Sequence, residues 1–255
     1  MPVFSLKEAK ALQVQNVAEN TFKYWKESAT YGYYGSGFSP PHTNTISRLD
    51  FSNETVSLPG NNLPSLRSNL AATSSSSYGY FAGGNDATNQ ISLISRLDFS
   101  NETTSSPGKN LPSGRNGLTA TSSNSYGYFG GGFSPPYINT ISRIDFSNET
   151  VSDPGKNLPT VSAYFTATAS SSYGYFGGGL TPTIINTISR IDFSSETISA
   201  PGKNLPTARY GLSATSSSSY GYFGGGYITT TPPYAAINTI SRLDFSSETV
   251  SDPGK

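Results

Sequence analysis

The sequence contains no cysteine. This excludes disulfides, thiolate metal sites and cysteine nucleophiles, and it leaves the redox compartment open. A single histidine, His42, is too little for a zinc site or a Ser-His-Asp triad. It lies in the segment SPPHTN, which reads as a solvated loop. Charge is scarce: 13% of residues are Asp, Glu, Lys or Arg, and the formal net charge is zero. No basic surplus exists to neutralise phosphates, so nucleic acid is not an expected partner. No apolar run approaches the roughly 18 residues of a membrane span, and none is expected. The start MPVFSLKEAKAL lacks the continuous apolar core of a secretory signal. A role outside a cell would therefore imply release by another route, such as lysis.

What is abundant is glycine, serine, threonine, asparagine and tyrosine, a composition of strands and turns. The phrase YGYFGGG stands at 126–132, 173–179 and 220–226, with near copies at 31–37 and 78–84. Its first tyrosines, Tyr31, Tyr78, Tyr126, Tyr173 and Tyr220, are 47 or 48 residues apart. A second phrase, ISR(L/I)DFS, carries Arg48, Arg96, Arg143, Arg190 and Arg242. A third, NLPxxR, ends in Arg67, Arg115 and Arg209 and degrades to NLPTVS at 157–162. Five copies at this period imply a solenoid, an array or a propeller.

Within one repeat every signal is β. LTATSSNS (118–125) is small and β-compatible, and YGYFGGG puts Tyr126 and Tyr128 on one face and Phe129 on the other. NTISRIDFS (139–147) alternates Ile141, Arg143 and Asp145 against Ser142, Ile144 and Phe146. ETVS (149–152) is a short fourth strand, and DPGKNLP (153–159) is a turn-rich connection. Four short strands per repeat make one propeller blade. The expected fold is all-β: a propeller of about five four-stranded blades over residues 25–255, behind a non-repeating arm at 1–24. Aromatic side chains should fill the wedges between blades, the glycine runs should turn the chain at the end of strand two, and the LSAT strand should lie nearest the axis.

The order R…L.AT….YGYFGGG……ISRIDFSNET…NLPTAR resembles a kelch repeat over roughly residues 25–255. It differs in having Val151, Ile198 or Val250 where kelch repeats carry a tryptophan; the only tryptophan is Trp25. The wording of the repeats also resembles repeat proteins of marine bacteriophages, which are virion or tail-fibre components. That resemblance implies a non-enzymatic structural or receptor-binding module of a virus particle, found in the virion or outside cells. The alternative is a secreted or cell-surface carbohydrate-binding kelch-like protein. Copper-radical chemistry on kelch-type domains is excluded by the missing cysteine, and the Asp-box pattern of sialidases by the missing tryptophan.

The arm has a capping-box pair, Ser5 and Glu8, and a weak helical stripe of Leu6, Ala9, Val14 and Val17. It is expected to be partly helical, and either to pack on the propeller's own edge or to dock the propeller onto other virion proteins. The chain stops at SDPGK, where earlier copies run on into NLP. Five blades could close as a small propeller, but the expectation is a longer natural chain, or a ring shared with another chain as a homo-oligomer.

No cofactor, metal site or catalytic group is expected. Each Arg/Asp pair, such as Arg143 and Asp145, shares one strand face and is expected to form ion pairs or strand-end hydrogen bonds between blades. Asn53, Asn101 and Asn148 read as turn residues. The repeats differ most between strands two and three: FSPPHTN (38–44), NDATNQISL (85–93), FSPPYIN (133–139), LTPTIIN (180–186) and YITTTPPYAAIN (227–238). A fixed scaffold with one varied loop suits a binding surface, the alternative being simple drift of a relaxed loop. The candidate ligand residues are Phe133, Tyr137, Tyr227 and Tyr234, with Arg67, Arg115 and Arg209 from the neighbouring strand four-to-one connections. The candidate ligand is a host surface glycan or protein.

Overall fold

A computed structural model describes residues 13–15, 23–24, 30–38 and 42–253. Every regular element among them is a strand. Blade 1 contains β2 (Lys23–Tyr24), β3 (Tyr31–Phe38), β4 (His42–Asp50) and β5 (Val56–Ser57). Blade 2 contains β6 (Ala71–Ser74), β7 (Tyr78–Ala82), β8 (Ile94–Asp98) and β9 (Thr104–Ser105). Blade 3 contains β10 (Thr119–Ser122), β11 (Tyr126–Phe133), β12 (Tyr137–Asp145) and β13 (Val151–Ser152). Blade 4 contains β14 (Thr166–Ala169), β15 (Tyr173–Gly177), β16 (Ile188–Asp192) and β17 (Ile198–Ser199). Blade 5 contains β18 (Ser213–Ser216), β19 (Tyr220–Gly224), β20 (Ile240–Asp244) and β21 (Val250–Ser251). Each is an antiparallel meander in sequence order, and the inner strands β6, β10, β14 and β18 lie side by side. The molecule is an all-β, five-bladed propeller.

The reason lies in the alternation. Strand period two sends successive side chains to opposite faces, and in a propeller each face meets a different neighbour. In blade 3, Tyr128 and Ile141 point towards blade 4, where they pack with Leu158, Phe176 and Ile191. Phe129 and Ile144 point back towards blade 2 and pack with Tyr80 and Ile94. Tyr128, Phe129 and Ile144 are 0% exposed. The wedge between blades is thus the hydrophobic core, repeated at four junctions. The glycine between the two tyrosines keeps neighbouring blades close. A Cβ on Gly174 would come within 2.6 Å of Thr121 on the inner strand of blade 3. At the end of strand two, Gly131 and Gly132 take φ of 55° and 114°, a left-handed path that only glycine adopts cheaply.

A polar latch closes the outer rim of each of these four junctions. In blade 2, the Arg96 guanidinium lies 4.6 Å from the centroid of the Tyr78 ring. It donates to both carboxylate oxygens of Glu149 in blade 3, at 3.0 Å each, and the Tyr80 hydroxyl donates to the same carboxylate at 3.0 Å. The equivalent ion pairs are Arg48–Glu102, Arg143–Glu196 and Arg190–Glu248. Each of these glutamates sits in the turn after strand three with a positive φ, between 53° and 58°. The aspartates expected to pair with these arginines do something else. Asp145 accepts from the Ser147 amide at 2.8 Å and the Ser147 hydroxyl at 2.6 Å, capping its own turn. Asn53, Asn101 and Asn148 are turn residues too, each accepting from the threonine two residues on.

Two expectations change. His42 opens strand β4 and is not in a loop. Within the arm, β1 (Gln13–Gln15) pairs with β18 on the inner edge of blade 5, and Lys23–Tyr24 is the inner strand of blade 1. Two stretches of the arm therefore belong to propeller sheets; the capping box and most of the helical stripe lie outside the described residues.

The latch tyrosines give a pH prediction. Burial, then the hydrogen-bonded glutamate, pushes the phenols of Tyr33, Tyr80, Tyr128 and Tyr175 well above their usual value of 10.0. The unfolded chain loses these protons near pH 10 while the folded one keeps them. Their contribution is therefore intact below about pH 10 and lost as pH rises beyond it. Ultraviolet titration should show these four phenols ionising only as the β-sheet circular dichroism disappears. Ionisation of all 17 tyrosines near pH 10 with the fold intact would refute this.

Candidate functional site: a tyrosine row at one end of the propeller

The segment after strand two and the connection leading into each inner strand meet at the same end of the molecule. Asn116 bridges Phe133, Ala163 bridges Leu180, and Tyr210 bridges Tyr227. The opposite end carries the short strand one-to-two turns and the glutamate turns.

In blade 3 the FSPPYIN segment is a tight hairpin between β11 and β12, with a bulge between Gly130 and Gly132. Phe133 and Tyr137 face each other across it, rings edge to face at 5.1 Å. Blade 5 has the longest insertion. Ile228 donates to the Ala235 carbonyl at 2.8 Å, and Ala235 donates back to the Thr229 hydroxyl at 2.8 Å. This small frame lifts Tyr234 to 59% exposure. Tyr234 meets Tyr227 edge to face at 6.2 Å, and Tyr227 lies 5.6 Å from Tyr210. The Tyr210 hydroxyl donates to the Thr229 carbonyl at 3.3 Å.

Two tyrosines outside the varied loops extend the set. Tyr164, at the entry to β14, has a positive φ of 54° and donates to Asn116 at 3.4 Å. Its phenol is pushed up by burial and further by the neighbouring Tyr137 and Tyr210 phenols. Tyr210 is raised in the same way, by burial first and then by Tyr234 and Tyr227. Tyr137, Tyr164, Tyr210, Tyr227 and Tyr234 thus run across blades 3, 4 and 5. Tyr164 and Tyr210 escape a reading based on loop variation because they lie in the repeated frame. Their signal is substitution within it: Tyr164 stands where other repeats have Asn69, Gly117 or Gly211, and Tyr210 where they have Ser68, Asn116 or Ala163.

The arginines are placed differently from the expectation. Arg67, Arg115 and Arg209 are 0%, 1% and 1% exposed. Arg115 donates to the Thr140 carbonyl and hydroxyl at 3.1 and 2.8 Å, to the Phe129 carbonyl at 3.2 Å and to the Ser142 hydroxyl at 2.9 Å. Burial lowers its guanidinium, and that of Arg67, to about 10, so both stay charged at neutral pH. These side chains tie strands two and three of their own blade together and offer nothing to a ligand outside. Blade 2 contributes a polar loop: Asp86 accepts from the amides of Thr88 and Asn89 at 2.7 Å each.

The row therefore offers ring faces and phenol hydroxyls, with no carboxylate among its members. Such a surface can stack on an uncharged ring while hydrogen-bonding at its edge. No family model matches the chain, and no curated protein matches it.

Proposed function

We propose that this chain is a non-enzymatic binding module whose tyrosine row contacts a glycan on a host surface, as the receptor-contacting part of a virus particle. The observation that carries the binding half is the row itself. Tyrosines from three blades converge on one end, and the most exposed of them, Tyr234, is raised by an internally hydrogen-bonded loop. A rigid aromatic costs little entropy to immobilise on binding. The virion half is supported by the wording of the repeats, with attachment through residues ahead of β1.

Tyr234→Ala and Tyr137→Ala should each leave thermal stability nearly unchanged and weaken binding to extracted surface polysaccharide by about 1–3 kcal/mol. Calorimetric titration and adsorption to host cells measure this. A folded double variant that binds like the parent would show that the row has no part in recognition.

A further inference from the structure

Four latches close the four junctions inside the chain, and the two halves of a fifth stand apart on blades 5 and 1. At an internal junction, the leading blade offers a tyrosine, an isoleucine and an arginine, as Tyr175, Ile188 and Arg190 do in blade 4. The following blade offers a glutamate and, at three of the four junctions, an aliphatic residue two positions on, as Glu248 and Val250 do in blade 5.

Blade 5 carries a leading half of its own in Tyr222, Ile240 and Arg242. Arg242 lies 4.8 Å from the centroid of the Tyr220 ring, in the same pose as the other four arginines. It has no carboxylate partner among the described residues. Tyr222 and Ile240 are only half-buried, whereas Tyr175 and Ile188 are 0% and 1% exposed. A Cβ on Gly177 would strike Phe223 of blade 5 at 2.6 Å; among the described residues, one on Gly224 would meet only Ile240 of its own blade, at 3.8 Å. Among the described residues nothing covers this face of blade 5.

Blade 1 carries the following half. Glu54 has the left-handed φ of the latch glutamates, at 61°, so its turn is already formed, yet the residue is exposed. Val56 and Leu58 beside it are each 67% exposed, while Val151, Ile198 and Val250 pack into the junctions before them.

We propose that blade 5 of one copy docks on blade 1 of a second copy, so that Arg242 and Tyr222 close on the partner's Glu54. Charge and shape select this occupant: the uncovered basic face is built to receive an acidic turn followed by an aliphatic residue, and blade 1 presents both. Within one chain the two halves do not meet, and β1 is seated on the inner strands of both end blades, β18 and β2. The interface is head to tail, so it propagates into a ring or a filament.

The test is charge reversal with mixing. The parent should self-associate with rising concentration in sedimentation velocity. Arg242→Glu and Glu54→Arg should each weaken this by about tenfold or more, because each leaves two like charges facing one another. Mixing the two variants should restore association, since the reversed acid on blade 5 of one then meets the reversed base on blade 1 of the other. Circular dichroism confirms that each variant is folded; Tyr222→Ala and Val56→Asp repeat the test without touching the charge pair. A parent that stays monomeric at all concentrations overturns the proposal. So does association that either single variant leaves unchanged. A monomeric parent in which each single variant lowers the melting temperature and the double variant restores it would show that a chain closes on its own blade 1 instead.

Discussion

Tyr128→Ala is expected to lower stability by about 3–5 kcal/mol, as loss of a buried aromatic does. The ring is fully buried in the wedge between blades 3 and 4, stacked on Phe193 at 5.6 Å. Its hydroxyl donates to Glu196 at 2.9 Å. Removing the side chain opens a cavity and takes a donor from the carboxylate that Arg143 grips at 2.7 Å. Tyr128→Phe separates the two effects. It keeps the ring and leaves Arg143 on Glu196, so its cost should be about 1 kcal/mol. Tyr222→Ala in blade 5, where the equivalent ring is half-buried, should cost clearly less in a dilute, monomeric sample. Denaturant melts of the parent and the three variants decide this. Equal losses for Tyr128→Ala and Tyr222→Ala would contradict the junction energetics described above.

Arg115→Met should cost about as much, roughly 3–5 kcal/mol, by a different route. The side-chain volume is nearly kept, but the Thr140 and Phe129 carbonyls and the Thr140 and Ser142 hydroxyls lose their donor inside the blade. Arg115→Lys should not rescue, because an ammonium is a point donor and cannot span acceptors on two strands as the planar fork does. Blade 4 limits how far this goes. Ser162 takes the arginine's place there, 3% exposed, and the blade is formed. Loss of Arg115 is thus expected to lower the melting temperature while leaving β-structure intact at ambient temperature. A melting temperature within error of the parent would mean that water replaces the guanidinium without cost.

The fold is legible in the sequence because alternation and period are both local. Tyr126–Gly132 and Asn139–Ser147 show which side chains share a face, and the recurrence of these phrases implies that each face needs a neighbouring blade. The partner of each arginine is not legible. Asp145 is two residues from Arg143 on the same strand face, whereas Glu196 is one whole repeat away in a turn. Every repeat has both acids, so spacing does not distinguish them; packing does, by swinging the next blade's turn over the arginine. Arg67, Arg115 and Arg209 mislead for a related reason. An arginine after a proline-rich stretch reads as a surface loop residue, and only the closed sheet shows that its acceptors are carbonyls and hydroxyls inside the blade. Loop variation points to Tyr137 and Tyr234, but it passes over Tyr164 and Tyr210, which alter the frame itself.

The pairing of β1 with β18 bears on the order in which the molecule is made. Gln13 precedes every blade in the chain, and its partner is Ser216. Each blade can zip up and lock to its predecessor as soon as it has been synthesised, since a latch reaches back only one repeat. The Gln13–Gln15 segment must instead wait until almost the whole propeller exists. It is the contact of longest sequence separation described here, and long-range pairings carry the largest entropic barrier to forming. Blades should therefore accumulate in order during synthesis, and β1, made before them, should be the last strand to find its place.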